Sequence, residues 1–471
     1  MKSLKIWRRI TRTYLTRSVI SELEQRGLVS QISQPKNKLI ESLDAGTKIK
    51  LYCGVDPTAR SIHLGNLVPM MILLHFYVRG HDIVNIIGGA TGQVGDPSGR
   101  TTARNEMMQQ ERINNVNNIN LQLKRFFQNG KAYYLRKQSD QSTEFGTHFI
   151  RNNLDWWKDV KMLDFLANYG KHIRIQQMLS RDSVTSRLSA TSNSKTDGLG
   201  FNEFTYQILQ AYDFYHLYSK EDVNVQVGGN DQWGNIVAGI DLIQRLSSKD
   251  NVPLAEKDKK LGPYGITVPL LTTANGTKFG KSAGNAIFID PKMNTPFDLY
   301  QFFYNTLDED TEKFLKIFTL LPEEEIKNIS EKHALNRSSH LGQSILAKEV
   351  TELIHGPQEA HNAEYVSNAL FRYTGDEAVD GETLINTLSH TGILQNGLKQ
   401  WDLLEVLAQI AKLSRTQARK RIEQGSVSVG LQRGNVITKN ISSDQWSNHL
   451  ISNRLLILRL GKQKVYSIVM E

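Results

Sequence analysis

The chain has 471 residues, 39% hydrophobic and 22% charged, which is too long for one ordinary domain and rich enough in apolar side chains for sizeable cores. No apolar run reaches the roughly 18 residues of a membrane span, and Cys53, the only cysteine, excludes an internal disulfide or multi-cysteine zinc site and points to a reducing compartment. The net charge of +9 is carried by the two ends, with six basic residues and no acid in 1–21 and +6 over 401–471, so the chain between them is close to neutral.

The N-terminal segment interleaves Lys2, Lys5, Arg8, Arg9, Arg12 and Arg17 with Leu4, Ile6, Trp7, Ile10, Tyr14 and Leu15. It reads as an organelle-targeting peptide over residues 1–20, and it lacks the apolar stretch of a secretory signal. From Lys48 to Leu271 short apolar runs alternate with helical patterns. The runs are Ile49–Val55, Ile83–Ile87, Val223–Val227 and Ile266–Leu271, and they predict a parallel α/β sheet. Turn residues follow their carboxyl ends, the edge at which such sheets bind ligands.

Four constellations lie along that edge. Tyr52-Cys53-Gly54-Val55-Asp56-Pro57-Thr58 is followed by His63-Leu64-Gly65-Asn66, where a helix is expected to start near Gly65. Helix starts hold phosphates, Gly65 would let a flat ring lie against backbone, and His63 could donate to a phosphate oxygen gaining charge. Gly88 to Gly92 and Gly95-Asp96-Pro97-Ser98-Gly99 form the second, with Asp96 either an ammonium ligand or a turn former. In the third, Tyr206, Gln210 and Asp213 fall at i, i+4 and i+7 of one predicted helix, and Gly228 to Asn235 presents Asp231 to ribose hydroxyls or simply to a turn. The fourth is Lys278-Phe279-Gly280-Lys281-Ser282, whose lysines suit transient contact with a pyrophosphate leaving group. Cys53 lacks a histidine base in its own motif, so it reads as a buried small residue or a ribose contact.

A polar, mostly helical segment, about 111–193, reads as an insertion between two halves of the sheet. The pattern over 291–373 is helical, 374–398 reads as a linker, and 399–471 reads as a helix pair followed by short strands.

Jointly, in this order and spacing, the four pieces resemble a class I aminoacyl-tRNA synthetase, and within that class a tyrosyl-tRNA synthetase of the bacterial and mitochondrial type. The segment from Leu413-Ser414-Arg415 to Gly425 is similar to that family's S4-like RNA-binding domain. The resemblance implies a Rossmann-like catalytic domain over 21–290, a helical anticodon-side domain and an S4-like α+β domain. It implies tyrosine activation by ATP, accompanied by Mg2+, and transfer to tRNA(Tyr) by a homodimer in the mitochondrial matrix. No protein metal site is implied, and no membrane partner.

Residue by residue, the resemblance implies Tyr52 and Asp213 on the tyrosine phenol, Asp96, Tyr206 and Gln210 on its ammonium, and Gln232 near its carboxylate. Thr58 and His63 would meet the γ-phosphate. Gly54, Asp56 and Gly65 would line the ATP site, and Cys53, Asn66 and Asp231 would contact ribose. Lys278, Lys281 and Ser282 would form the mobile loop, while Arg100 and Arg104 are basic positions used for ATP phosphates or tRNA. Asn66 stands where many relatives carry histidine; its amide N–H can still donate to a ribose oxygen. Three rivals are a tryptophanyl-tRNA synthetase, a small-molecule nucleotidyltransferase and a non-catalytic RNA-binding relative. The Tyr52–Asp213 pair, the C-terminal segments and the intact motifs argue against them in turn.

Overall fold

The computed structural model describes residues 18–98, 107–137, 144–181, 184–185, 188, 199–247, 261–276, 279, 281–282, 285–373, 379–432, 435–461 and 464–471. The chain divides into two compact units. One holds the residues up to Asp290 together with Thr306–Gly342; the other holds Pro291–Asn305 together with Gln343–Glu471.

The first unit is built on a six-stranded sheet of β1 (Gln31–Ile32), β2 (Lys50–Val55), β3 (Asp82–Ile87), β4 (His148–Asn152), β5 (Val225–Gly229) and β6 (Tyr264–Val268). The spatial order is β1-β6-β5-β2-β3-β4, parallel except for the short edge strand β1, and β7 (Lys281–Ser282) and β8 (Asn285–Ala286) form a separate antiparallel pair. Strand order therefore reverses between β2 and β5, and the crevice beyond their carboxyl ends is a topological switch point. Each of the four runs expected from the sequence forms a strand, with ends displaced by at most three residues. The insertion differs from expectation. It starts with a long helix, Gln109–Lys137, but then supplies the edge strand β4, whose half-buried residues lack the apolar run that marks a central strand.

Helix α1 (Val19–Gln25) packs by Val19, Ile20 and Leu23. Its neighbour Arg26 is 5% exposed and donates to the carbonyls of Lys316, Thr319 and Leu321 at 2.7–3.0 Å. Val19 and Ile20, which the targeting peptide was expected to include, thus belong to the folded unit; residues 1–17 lie outside the described residues. Helix α2 (Leu64–Tyr77) buries every residue except Gly65 and Asn66, as a helix apolar all round must. Helix α3 (Phe201–Glu221) starts at Gly200 and stops at Asp222, which takes a left-handed φ of 55°.

In the second unit a five-stranded sheet is ordered β11-β10-β12-β13-β9, from β9 (Leu394–Gly397), β10 (Val427–Val429), β11 (Val436–Ile437), β12 (Leu455–Leu460) and β13 (Lys464–Met470). Helices Leu403–Gln409 and Arg415–Glu423 pack on it through Leu403, Val406, Leu407, Ala418 and Ile422. The helix pair and strands match expectation. The linker does not: 381–390 forms a helix that buries Leu384, Ile385 and Leu388, and Leu394–Gly397 pairs in parallel with β13. Glycines and acids masked that apolar stripe. The helical block over 291–373 is likewise divided between the two units.

Candidate active site

All described candidate residues lie in the first unit, at the carboxyl edge of β2, β3 and β5. Tyr52, on β2, is 2% exposed, and its ring packs against Phe214 at 5.3 Å between centroids. Its hydroxyl is buried and has no hydrogen-bond partner among the described residues. Burial first, then the charge of Asp213, raises its pKa well above the ordinary phenol value.

Asp213, on α3, is buried among donors. Oδ1 accepts from the indole Nε1 of Trp156 at 2.8 Å and of Trp157 at 2.7 Å, and Oδ2 accepts from Asn153 Nδ2 at 2.9 Å. Burial pushes this carboxyl up to about 7, against the downward pull of those three donors. Asn153 continues the network. It shares Nδ2 with Thr91 Oγ1 at 3.1 Å and accepts from the Ala90 N–H at 2.7 Å. Thr91 donates to Asp56 Oδ1, and Asp56 Oδ2 accepts from the Tyr206 hydroxyl, each at 2.8 Å. Asp213 and Tyr206, one helical face in the sequence, are thus joined again through Asn153, Thr91 and Asp56. Gly88 makes this possible, because a Cβ there would collide with the Asp56 carboxylate and the Thr91 hydroxyl.

Asp96 forms a second polar cluster. It accepts from the Ser98 N–H at 2.8 Å and from Gln232 Nε2 at 2.7 Å, while burial raises its pKa. Asn235 donates to Gln210 Oε1 at 3.1 Å and to Gln232 Oε1 at 3.3 Å, so Gln210, Gln232 and Asp96 are held in one patch. Asp231 is exposed and accepts from Gln232 at 3.1 Å.

His63 is the N-cap of α2, and its N–H donates to Asn66 Oδ1 at 3.3 Å. A Cβ on Gly65 would lie 2.9 Å from His63 Cε1, so this glycine makes room for the imidazole, a reason the sequence did not offer. Gly54 and Thr58 are exposed at the same edge, and nothing lies within 4 Å of a Cβ built on Gly54. Cys53 is 3% exposed, with its thiol directed to the Gly54 carbonyl at 3.7 Å and pushed up to about 12 by burial.

The segment after the lysine loop is stitched to this helix start. Leu64 N–H donates to Ile287 O, and Ile289 N–H donates to Ile62 O, both at 3.0 Å, with His63 opposite Phe288. Phe279 is buried against Phe314 and Phe318, at 4.5 and 5.1 Å, and its N–H donates to Leu271 O. Lys281 and Ser282 form a two-residue strand whose backbone alone is described; Lys278, Arg100 and Arg104 lie outside the described residues. The residues that the sequence reading missed are Asn153, Trp156, Trp157 and Thr91. The adjacent tryptophans in a polar insertion were the available signal.

Residues 44–372 match the family described as tRNA synthetases class I (W and Y). The chain is 54% identical over 456 residues to the mitochondrial tyrosine–tRNA ligase of Saccharomyces cerevisiae, covering 96% of this chain and 89% of that protein. It is 38% identical over 456 residues to tyrosine–tRNA ligase 2 of Bacillus cereus, covering 96% and 99%. The C-terminally truncated mitochondrial tyrosyl-tRNA synthetase of Aspergillus nidulans superposes with a TM-score of 0.68 at 35% identity, over 79% of this chain and 99% of that one. The corresponding Coccidioides posadasii structure gives 0.66 at 36%, over 77% and 95%. The chain belongs to the class I tRNA synthetases of the tryptophan and tyrosine group, and within it to the tyrosyl-tRNA synthetases of bacterial and mitochondrial type.

Proposed function

We infer that the chain is a tyrosine–tRNA ligase. The tyrosine carboxylate attacks the α-phosphate of ATP and pyrophosphate leaves; the terminal ribose hydroxyl of the tRNA then attacks the acyl carbon and AMP leaves. No protein nucleophile is needed, and the rate comes from positioning and from stabilising charge on the phosphates.

The observation that carries tyrosine as the substrate is the buried, unpartnered Tyr52 hydroxyl in the same core as the buried Asp213. A phenol both donates and accepts, so it suits Asp213 as acceptor and Tyr52 as donor. Asp96, Tyr206 and Gln210 then take the ammonium and Gln232 lies by the carboxylate. Thr58 and His63 meet the γ-phosphate, with Gly54, Asp56 and Gly65 lining the nucleotide, Cys53, Asn66 and Asp231 near ribose, and Lys278, Lys281 and Ser282 over the pyrophosphate. Mg2+ arrives bound to the phosphates as part of the substrate.

The basic face of helix Arg415–Glu423 supports a role for the S4-like segment on tRNA. Arg415, Arg419, Lys420 and Arg421 are exposed while Ala418 and Ile422 are buried. Exposed Leu121, Met162, Leu163, Leu166 and Ile175 in the insertion support a homodimer. The Arg-rich N-terminus and the mitochondrial relatives support mitochondrial import, with the matrix as the site of action.

Tyrosine-dependent exchange of labelled pyrophosphate into ATP is the test. Exchange driven by tyrosine and not by tryptophan is expected; exchange driven by tryptophan would overturn the substrate assignment.

A further inference from the structure

Asp213 has more donors than a phenol site requires. A carboxylate offers about four lone-pair positions, two on each oxygen. Trp156 and Asn153 occupy one position on each oxygen of Asp213. Trp157 supplies a third donor to Oδ1, the shortest of the three at 2.7 Å. Both indoles come from the single helical turn Leu154–Trp157 that follows β4, and each ring is fixed by its own neighbours. Trp156 stacks on His216 at 4.5 Å, whereas Trp157 lies against Tyr212 at 4.8 Å and Phe165 at 5.5 Å.

We propose that Trp157 is a specificity-determining positioning residue. Its indole N–H fills the second acceptor position of Asp213 Oδ1, so that a substrate hydroxyl can be received only at Oδ2. The proposal rests on the reading of Asp213 as the phenol ligand.

Two consequences follow from the chemistry. With Oδ1 closed, a phenylalanine ring leaves the open position of Oδ2 desolvated and unpaired, which is the physical basis for rejecting it. The third donor also favours the carboxylate over the acid form, in a site where burial works the other way. Of the groups facing Asp213, Asp56 from the loop beyond β2 opposes its charge, while Tyr52 from β2 and Tyr206 and Tyr212 from its own helix are phenols held neutral by pKa values raised above the ordinary one. None of them is a cation. His216, stacked on Trp156, has its pKa lowered by burial and so adds little positive charge near neutrality. Hydrogen-bond donors therefore hold the ionised form, and a neutral acid is less costly to leave unpaired than a carboxylate.

Trp157→Phe keeps the ring against Tyr212 and Phe165 and removes only the N–H. The measurement is kcat/KM for pyrophosphate exchange, with tyrosine and with phenylalanine, from pH 6 to 9. At pH 7 the tyrosine-to-phenylalanine ratio should fall about tenfold, the worth of one charge-assisted hydrogen bond, through KM for tyrosine. The pH at which the ratio is half-lost should move upward, and the ratio should recover towards pH 9. Replacing Trp157 by 3-benzothienylalanine, which substitutes sulfur for the indole N–H, should reproduce the shift without any change in ring size. An unchanged ratio and midpoint in both variants would overturn the role of Trp157 if Asp213→Asn abolishes selectivity. Selectivity retained in Asp213→Asn would instead overturn the phenol reading itself.

Discussion

At the end proposed for the phenol, Asp213 is buried and bound by three donors, and the buried Tyr52 hydroxyl has no hydrogen-bond partner among the described residues. At the phosphate end, Gly54, Thr58, Gly65 and Asp231 are exposed, and His63 and Asn66 are half-buried. On the proposed reading, the first end is built in advance because a small neutral phenol must be told from a ring without a hydroxyl, and a fixed desolvated partner does that best. The second end accepts a large, hydrated polyanion, and its groups gain their full effect only when charge develops in the transition state.

The comparison can be broken at four points. Asp213→Ala removes the acceptor of two indoles and an amide; kcat/KM for tyrosine should fall by roughly a thousandfold, with a lower melting temperature. Loss of activity with an unchanged melting temperature would show that the phenol end is not prebuilt. Lys281→Ala should slow adenylate formation by roughly two to three orders of magnitude and leave tyrosine affinity and melting unchanged; single-turnover kinetics and equilibrium binding separate these.

A matched pair of glycine substitutions sharpens the contrast. Gly65→Ala pushes on the His63 ring and should lower kcat about tenfold. Gly88→Ala pushes on Asp56 and Thr91, which link Tyr206 to Asp213, and should raise KM for tyrosine about tenfold, more than it raises KM for ATP. If both act on the same constant, the two ends are not separate. The smallest effect is expected far from the cleft. Removing residues 1–17 should leave the melting temperature unchanged, whereas removing 1–26 deletes buried Ile20 and Leu23, worth about 1.5–3 kcal/mol each, together with Arg26.

Sheet and helix periodicity made β2, β3, β5 and β6 legible, because a central parallel strand is apolar throughout. Edge strands β1 and β4 lack that mark and escaped, as did β9 among glycines. Tyr206, Gln210 and Asp213 were readable as one helical face. Asn153, Trp156 and Trp157 were not, because only the pairing of β4 with β3 brings the middle of the insertion to Asp213. The reason for Gly65 was hidden for a similar cause: its constraint is the conformation of His63, which no spacing encodes.

The lysine loop is held at both ends, by Phe279 between Phe314 and Phe318 and by Ile287 on the start of α2. Lys281 stands two positions after the first anchor and six before the second. Two residues reach about 7 Å, so the tether keeps the Lys281 backbone within about that distance of the Phe279 anchor. A group on so short a tether meets its target at an effective concentration of roughly millimolar or above. With Lys281 acting on the departing pyrophosphate as proposed, the tether replaces a dilute-solution collision with a local one. A free primary amine restoring turnover to Lys281→Ala should need a concentration of that order before it competes with the tethered one.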